Sequence, residues 1–312
     1  MKVLITGGAG FIGSHLTKYF LDKNHQVYVI DNLITGKKYN LNEYLNNQNL
    51  VFIEKNIVNF SFYNLPSFDI IYDLASPASP KIFEKLSIEI LKVNSFGLFN
   101  LLNFFLKSKS KVFVFASTSE VYGDPLVSPQ KETYFGNVNP NGIRSVYDEG
   151  KRFAEATIFA YIRKHYLDIR IARIFNTYGP FMSKDDGRVI SNFINQALTN
   201  QPITVYGDGQ QTRSCCYIDD MIEGLIKIGV INNLQGQVIN LGNPEEKKII
   251  DIALLIKKLT DSKSKIFFQP LPEDDPKQRL PDIEKAKNLL DWTPKINLRQ
   301  GLIKTINYFK NN

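Results

Sequence analysis

Through the first half of the chain, short apolar runs alternate with longer stretches in which apolar residues recur every three or four positions. The runs KVLIT (2–6), QVYVID (26–31), LVFIE (50–54), FDIIYDLA (68–75), KVFVFAS (111–117) and DIRIARIF (168–175) have strand length and are rich in β-branched and aromatic residues. They are apolar at nearly every position, which indicates burial on both faces, as in a parallel sheet covered by helices. FIGSHLTKYFLDKN (11–24), LSIEILKVNSFGLFNLLNFFLK (86–107) and YDEGKRFAEATIFAYIRKHY (147–166) carry helical spacing. The alternation predicts an α/β fold built on a doubly wound parallel sheet.

After about residue 177 the pattern changes. Pro180, Pro202, Pro244, Pro270, Pro272, Pro276, Pro281 and Pro294 divide the chain into short elements. GRVISNFINQALTN, YIDDMIEGLIKIGV and IIDIALLIKKLTD read as helices, and PITVYGDG as a short strand and turn. The expectation is a sheet domain over 1–177 and a smaller α/β lobe over 178–312, with some segments of the second part returning to the first. A length of 312 residues is enough for two lobes. Composition, 43% hydrophobic and 22% charged, places the chain among ordinary soluble globular proteins.

Other features narrow the class. The first apolar run reaches glycine too soon for a signal peptide, and no run approaches the roughly eighteen apolar residues that span a bilayer. Cys215 and Cys216 are neighbours, an arrangement poorly suited to a disulfide, and no metal-ligand spacing occurs. A reducing cytoplasm, no membrane partner and no metal are expected. The net charge of +7 comes from scattered lysines with short clusters such as KSKSK (107–111), which suits a small polyanion better than nucleic acid.

The candidate chemistry lies at the predicted strand ends. Gly7, Gly10 and Gly13 in TGGAGFIG stand between the first strand and first helix, and Asp31 ends the second strand eighteen residues later. Glycines let a backbone approach a pyrophosphate at a helix N-terminus, and a carboxylate at that strand end accepts hydrogen bonds from a ribose and repels a 2′-phosphate. This combination predicts a Rossmann-type site for NAD rather than NADP. Tyr147 and Lys151, four residues apart on one helix, face the same side. A phenol beside an ammonium and a cationic nicotinamide becomes a usable base for hydroxyl oxidation. Thr118 and Ser119 stand where the fifth predicted strand ends, with Glu120 directly after them.

At these residues the chain resembles the extended short-chain dehydrogenase/reductase family, which acts on nucleotide sugars. The resemblance implies that Tyr147 is the base, that Lys151 tunes it, and that Thr118 orients the reacting hydroxyl. A 4-epimerase needs no further acid there, and a 4,6-dehydratase would carry an Asp–Glu pair where this chain has Ser119–Glu120. Ser119 is too weak an acid for that task. The stretches DLASPASP, ASTSEVYGDP, YDEGKR, RIFNTYGP, DGRVISNFI, ITVYGDGQQTR, NLGNPEE and DDPKQRLPDI, in this order, resemble the UDP-glucuronic acid decarboxylase branch. That resemblance implies NAD-dependent oxidation at C4, loss of CO2, reprotonation at C5 and re-reduction, with a 4-epimerase or 4,6-dehydratase as the alternative. Glu120 would deliver a proton or disfavour the substrate carboxylate, and Arg213 would orient that carboxylate.

By the same resemblance, Phe11, Ile12, Asn32, Thr35, Gly36, Asn56, Ile57, Leu74 and Ser76 join the glycines, Asp31, Tyr147 and Lys151 around NAD. Lys92, Asn176, Arg188, Val189, Tyr206, Arg213 and Arg279 contribute to the UDP-sugar pocket. Departures are Asn56 for the usual Asp at the adenine, Val93 for a usual Thr, and Leu280 for a usual basic residue. Trp292 reads as packing. The resemblance further implies a homodimer through a four-helix bundle, made here from 86–107 and 147–166.

Overall fold

The computed structural model describes residues 1–271 and 278–311. The first half runs β1 (Lys2–Thr6), α1 (Phe11–Asp22), β2 (Gln26–Asp31), β3 (Leu50–Glu54), β4 (Ile70–Asp73), α2 (Ser87–Lys92), α3 (Leu98–Ser108), β5 (Val112–Thr118), α4 (Ser145–His165) and β6 (Ile169–Ile174). The second half adds β7 (Thr177–Tyr178), α5 (Val189–Leu198), β8 (Ile203–Tyr206), β9 (Thr212–Ser214), β10 (Cys216–Tyr217), α6 (Ile218–Val230), β11 (Val238–Leu241), β12 (Glu246–Lys248), α7 (Ile249–Thr260), β13 (Ile266–Gln269), α8 (Glu284–Leu290) and α9 (Leu298–Asn311).

Seven strands form one sheet in the order β11-β6-β5-β4-β1-β2-β3, and every pairing is parallel. The chain leaves β1 toward one edge and later crosses to the other, so the connections part above β1 and β4. In such sheets that parting leaves a crevice at the C-terminal strand ends. The buried residues explain the two-sided apolar runs. Leu98, Leu101, Phe105, Ala154 and Ile158 of α3 and α4 pack in one cluster with Leu4, Ile71 and Phe113 of the sheet. Val3, Ile5 and Val114 join a second cluster with Leu16 and Phe20 of α1 and Leu225 of α6.

The second cluster continues into Phe193 of α5, Ile252 of α7 and Leu302 of α9 without a break. The later elements also pair off on their own: β8 with β13, β9 with β12, and β7 with β10, each a two-stranded sheet. The edge strand β11, within the stretch read only as a motif, was not anticipated as a strand and completes the main sheet. Residues 274–277 of DDPKQRLPDI lie outside the described residues.

The predicted helix over 86–107 is interrupted. Residues Val93–Gly97 form a π-turn between α2 and α3. There the Asn94 amide donates to Ile90 O and to Ser76 Oγ, both at 2.9 Å. A Cβ on Gly97 would stand 3.0 Å from Ile57 Cγ1, so the widened turn lets the helix pass close to that side chain. No helix among the described residues is long and apolar enough to cross a membrane.

Trp292 is 1% exposed in the cluster shared by both halves, and its indole N–H donates to Asp220 O at 2.9 Å. Replacing it by alanine leaves a large cavity and an unpaired carbonyl. The expected result for Trp292→Ala is a loss of about 3–5 kcal/mol, read from the urea midpoint at unchanged slope.

Candidate active site

A cavity of about 660 Å³ runs along the C-terminal strand ends, from the glycine loop to the segments around Arg188, Tyr206 and Arg213. At one end Gly7 holds φ 69°, and a Cβ there would lie 2.7 Å from Leu74 O. A Cβ on Gly13 would fall 2.2 Å from Gly7 O, so α1 meets the loop at a distance only glycine permits. Gly10 differs: its φ is −75°, and the nearest atom to an added Cβ is Gly7 O at 3.2 Å. Asp31 is buried at the end of β2, where its carboxylate accepts the Ala9 N–H at 3.0 Å and the Leu33 N–H at 2.8 Å. Burial pushes its carboxyl above the ordinary range, against those two donors. Gly36 lies so close to this carboxylate that a Cβ would stand 2.8 Å from it.

Phe11, Ile12, Asn32, Thr35, Asn56, Ile57, Leu74 and Ser76 all line the cavity beside this loop. Asn56 Oδ1 accepts the Val58 N–H at 3.0 Å, and its second lone pair leaves room for one more donor. These residues fit a dinucleotide: a close backbone approach, a helix N-terminus for phosphate and a carboxylate for a ribose diol. Asn176, Arg188, Val189, Tyr206, Arg213 and Arg279 line the other end. Lys92 does not join them. It is exposed at the end of α2 and does not line the cavity.

Between the two ends stand Tyr147 and Lys151, one turn apart on α4 and both buried. Lys151 Nζ donates to Ala116 O at 2.8 Å and sits 4.5 Å from the centre of the Phe115 ring. Burial pulls this ammonium down to about 8, opposed by the charges of Asp73 and Glu155. The Tyr147 phenol pairs with the Thr118 hydroxyl, yet burial pushes it up to about 12, against the pull of Arg188 and of that hydrogen bond. The expected lowering comes from the ammonium together with a cationic nicotinamide; in the protein alone, desolvation of the phenolate dominates. Phe83, 1% exposed, stacks on the Tyr147 ring at 5.2 Å and 19° and fixes its plane.

Glu120 follows β5 in a single 3-10 turn, Ser119–Tyr122, where Thr118 Oγ1 accepts the Glu120 N–H at 3.2 Å. Its carboxylate meets Arg144 Nη2 at 2.5 Å and Arg279 Nη2 at 3.1 Å. Arg279 also donates to Ser119 O. Burial alone would raise the Glu120 carboxyl, but Arg279, Arg144 and Arg213 pull it down to about 2. At neutral pH the group is an anion, which argues against direct proton delivery and for a purely electrostatic part. Asp148 behaves in the opposite way. It is 5% exposed, its Oδ1 makes no hydrogen bond, and burial with the nearby Glu120 charge pushes it up to about 8. The two carboxyls are thus pushed in opposite directions, and Asp148 lies behind the residues that line the cavity.

A match to the NAD dependent epimerase/dehydratase family runs over residues 3–242. The chain belongs to that family. Among curated relatives, UDP-glucuronic acid decarboxylase 1 of Danio rerio is 47% identical over 308 residues, covering 99% of this chain and 72% of the relative. UDP-glucuronic acid decarboxylase 4 of Arabidopsis thaliana is 48% identical over 305 residues, covering 97% and 67%. Among solved structures, UDP-glucuronic acid 4-epimerase from Bacillus cereus, in complex with UDP-glucuronic acid and NAD, superposes with a TM-score of 0.91 at 31% identity, covering 100% of this chain and 99% of that one.

Two residues that line this cavity, Arg144 and Phe83, and the buried Asp148 beside them escaped the sequence reading. Arg144 precedes Tyr147 by three positions, a helical spacing that could have flagged it. Phe83 and Asp148 carried no such signal, because a stacking partner and a neighbour's charge come from the tertiary fold. The glycine geometry separates two substitutions. Gly10→Ala, whose Cβ meets only Gly7 O at 3.2 Å, should lower thermal stability far less than Gly13→Ala while weakening NAD binding by about tenfold or more. Gly13→Ala should lower both, as calorimetry and NAD titration would read.

Proposed function

We propose that this chain is an NAD-dependent UDP-glucuronic acid decarboxylase that forms UDP-xylose through a 4-keto intermediate. The reading is carried by 47% identity, across 99% of the chain, with a relative named for that activity. The charge pattern supports it: one carboxylate, Glu120, is opposed by Arg144, Arg213 and Arg279, an excess of positive charge suited to a sugar that carries a carboxylate.

Tyr147 takes the proton of the sugar 4-hydroxyl, which Thr118 orients, and Lys151 keeps positive charge beside the phenol. NAD⁺, when bound, supplies the hydride acceptor and a further positive charge that favours the phenolate. The ketone at C4 makes the C5 carboxylate that of a β-keto acid. Loss of CO2 leaves an enolate, which the Tyr147 hydroxyl stabilises. C5 then takes a proton from water; on re-reduction C4 regains the hydride while the Tyr147 hydroxyl gives its proton back to the C4 oxygen. Ionised Glu120 disfavours the neighbouring substrate carboxylate, which leaves as neutral CO2, while Arg213 orients it.

Residues 1–177 carry the cofactor and 178–312 mainly the nucleotide sugar, with α6 and β11 returning to the main sheet. Tyr206, 39% exposed on the cavity wall, offers a face to the uracil ring. Ile88, Leu91, Phe96, Phe99 and Phe153 expose apolar surface on α2–α4, and a second copy covering them would give a homodimer through a four-helix bundle. Cys215 and Cys216 are free thiols, in keeping with a reducing cytoplasm.

A 4-epimerase acting on the same acid is the second reading, favoured by the 0.91 TM-score to the Bacillus cereus protein. Incubation with NAD⁺ and UDP-glucuronic acid, followed by mass spectrometry, separates the two. A UDP-pentose with CO2 is expected; an isomeric UDP-uronic acid without CO2 would make the chain an epimerase. Tyr147→Phe should yield neither NADH nor product. Glu120→Gln should bind NAD as before and slow CO2 release by about a hundredfold, and CO2 release at the wild-type rate would remove Glu120 from the mechanism.

A further inference from the structure

Asp73 ends β4 with 4% exposure, does not line the cavity and has no part in the chemistry above. A buried carboxylate is costly unless paired or hydrogen-bonded. Thr6 Oγ1 donates to Asp73 Oδ1 at 2.6 Å, and the Ala75 N–H approaches the same oxygen at 3.4 Å. In the sheet register Thr6 stands beside Asp73, and Asp73 beside Phe115. Lys151 reaches this corner from the helix layer, with Nζ 4.5 Å from the Phe115 ring centre and bonded to Ala116 O. Strand register and helix docking therefore place a carboxylate and an ammonium on either side of Phe115's strand position, in the same interior corner.

We propose that Asp73 is a positioning residue of the dehydrogenase centre, whose buried carboxylate, anchored by Thr6, helps keep the Lys151 side chain charged. This rests on the assignment of Tyr147 and Lys151 as the oxidising pair.

The charged groups facing Lys151 single out Asp73. Glu155, on the same helix, is held by Arg173 of β6 through contacts of 2.9 and 2.6 Å and by Ser117 Oγ at 2.5 Å. Its negative charge is already matched. Tyr147, also on α4, lies with its ring centre 6.0 Å from Nζ and is neutral in the free protein. Phe115 and Ala116 of β5 present a ring and a carbonyl, without formal charge. Among the described residues Lys151 is the cation whose charge acts on Asp73, and the effect is mutual: each favours the ionised form of the other. Thr6 also directly precedes Gly7, so the carboxylate whose charge acts on the catalytic lysine is hydrogen-bonded at the base of the glycine loop.

The test is the pH dependence of NADH formation in a single turnover with UDP-glucuronic acid, for wild type and Asp73→Asn. Asparagine still accepts from Thr6 but removes the charge. Lys151 then loses its proton at lower pH, and the alkaline limb should move down by about one unit or more. A lower amplitude with an unmoved limb, NAD binding intact, would mean that Asp73 only ties β1 to β4, and would overturn the proposal. If Asp73→Asn does not fold, Thr6→Val weakens the ionised form of Asp73 and should move the limb the same way by less; an unmoved limb again overturns it. Wild type that forms neither NADH nor pentose would instead refute the decarboxylase reading. In that case NMR titration of Lys151 in lysine-labelled protein, with and without Asp73→Asn, makes the same comparison without a substrate.

Discussion

The burial of Lys151 at 3% exposure is the constraint on which the centre of this molecule depends. An ammonium taken out of water must be met by oxygen or by negative charge, and each group that meets this one comes from a separate part of the chain. Ala116 supplies a carbonyl from β5, Asp73 a charge from β4, and Glu155 a second charge from one turn along α4. If α4 slid along the sheet or β4 shifted against β5, the ammonium would be left without them. The requirement that keeps the lysine charged therefore also fixes where Tyr147 stands relative to Thr118.

A second balance of charge governs the other side of the phenol. Glu120 is drawn to about 2 by its arginines, and its negative charge in turn helps push the buried Asp148 up to about 8. The two groups are chemically alike, so their opposite states follow from contact: Glu120 faces guanidinium groups, while one Asp148 oxygen faces no donor at all. The link extends to the aromatic stack. Arg144, which grips Glu120, also lies 5.9 Å from the centre of Phe83, and Phe83 stacks on Tyr147. Charge at Glu120 and orientation of the phenol are thus set by one set of neighbours.

Periodicity made the layers of the fold legible because burial on both faces leaves an apolar residue at almost every strand position, as in β1, β2 and β5. It failed where local geometry carries no hydrophobic signal. The π-turn at Val93–Gly97 arises from Asn94 and the passage of Gly97 over Ile57, and β11 is a short edge strand hidden in a motif. At the site, the glycine loop, Asp31, Tyr147 and Lys151 were legible because their spacing is local. The partners of Glu120 were not, since Arg279 lies 159 positions away. Its charge state could be read only after the fold had brought those arginines to it, and it came out as a held anion. Lys92, read as a pocket residue, is exposed and outside the cavity lining, and a helix-end lysine has no spacing rule that says which way it points.

Fold alone does not choose between the reactions open to this chain. A superposable structure is a UDP-glucuronic acid 4-epimerase, while curated relatives are decarboxylases. Once C4 is a ketone, the two outcomes differ in whether the C5 carboxylate is held as an anion or released as neutral CO2. That choice rests on the local field, because a carboxylate gripped by arginines is stabilised and one pressed against another anion is not. Here the arginines have Glu120 as a partner already, with Arg144 and Arg279 in direct contact with it. A substrate carboxylate arriving there meets guanidinium groups whose charge is shared and an anion that disfavours it. On the proposed function, the Glu120–arginine cluster is the feature through which this fold would favour loss of CO2.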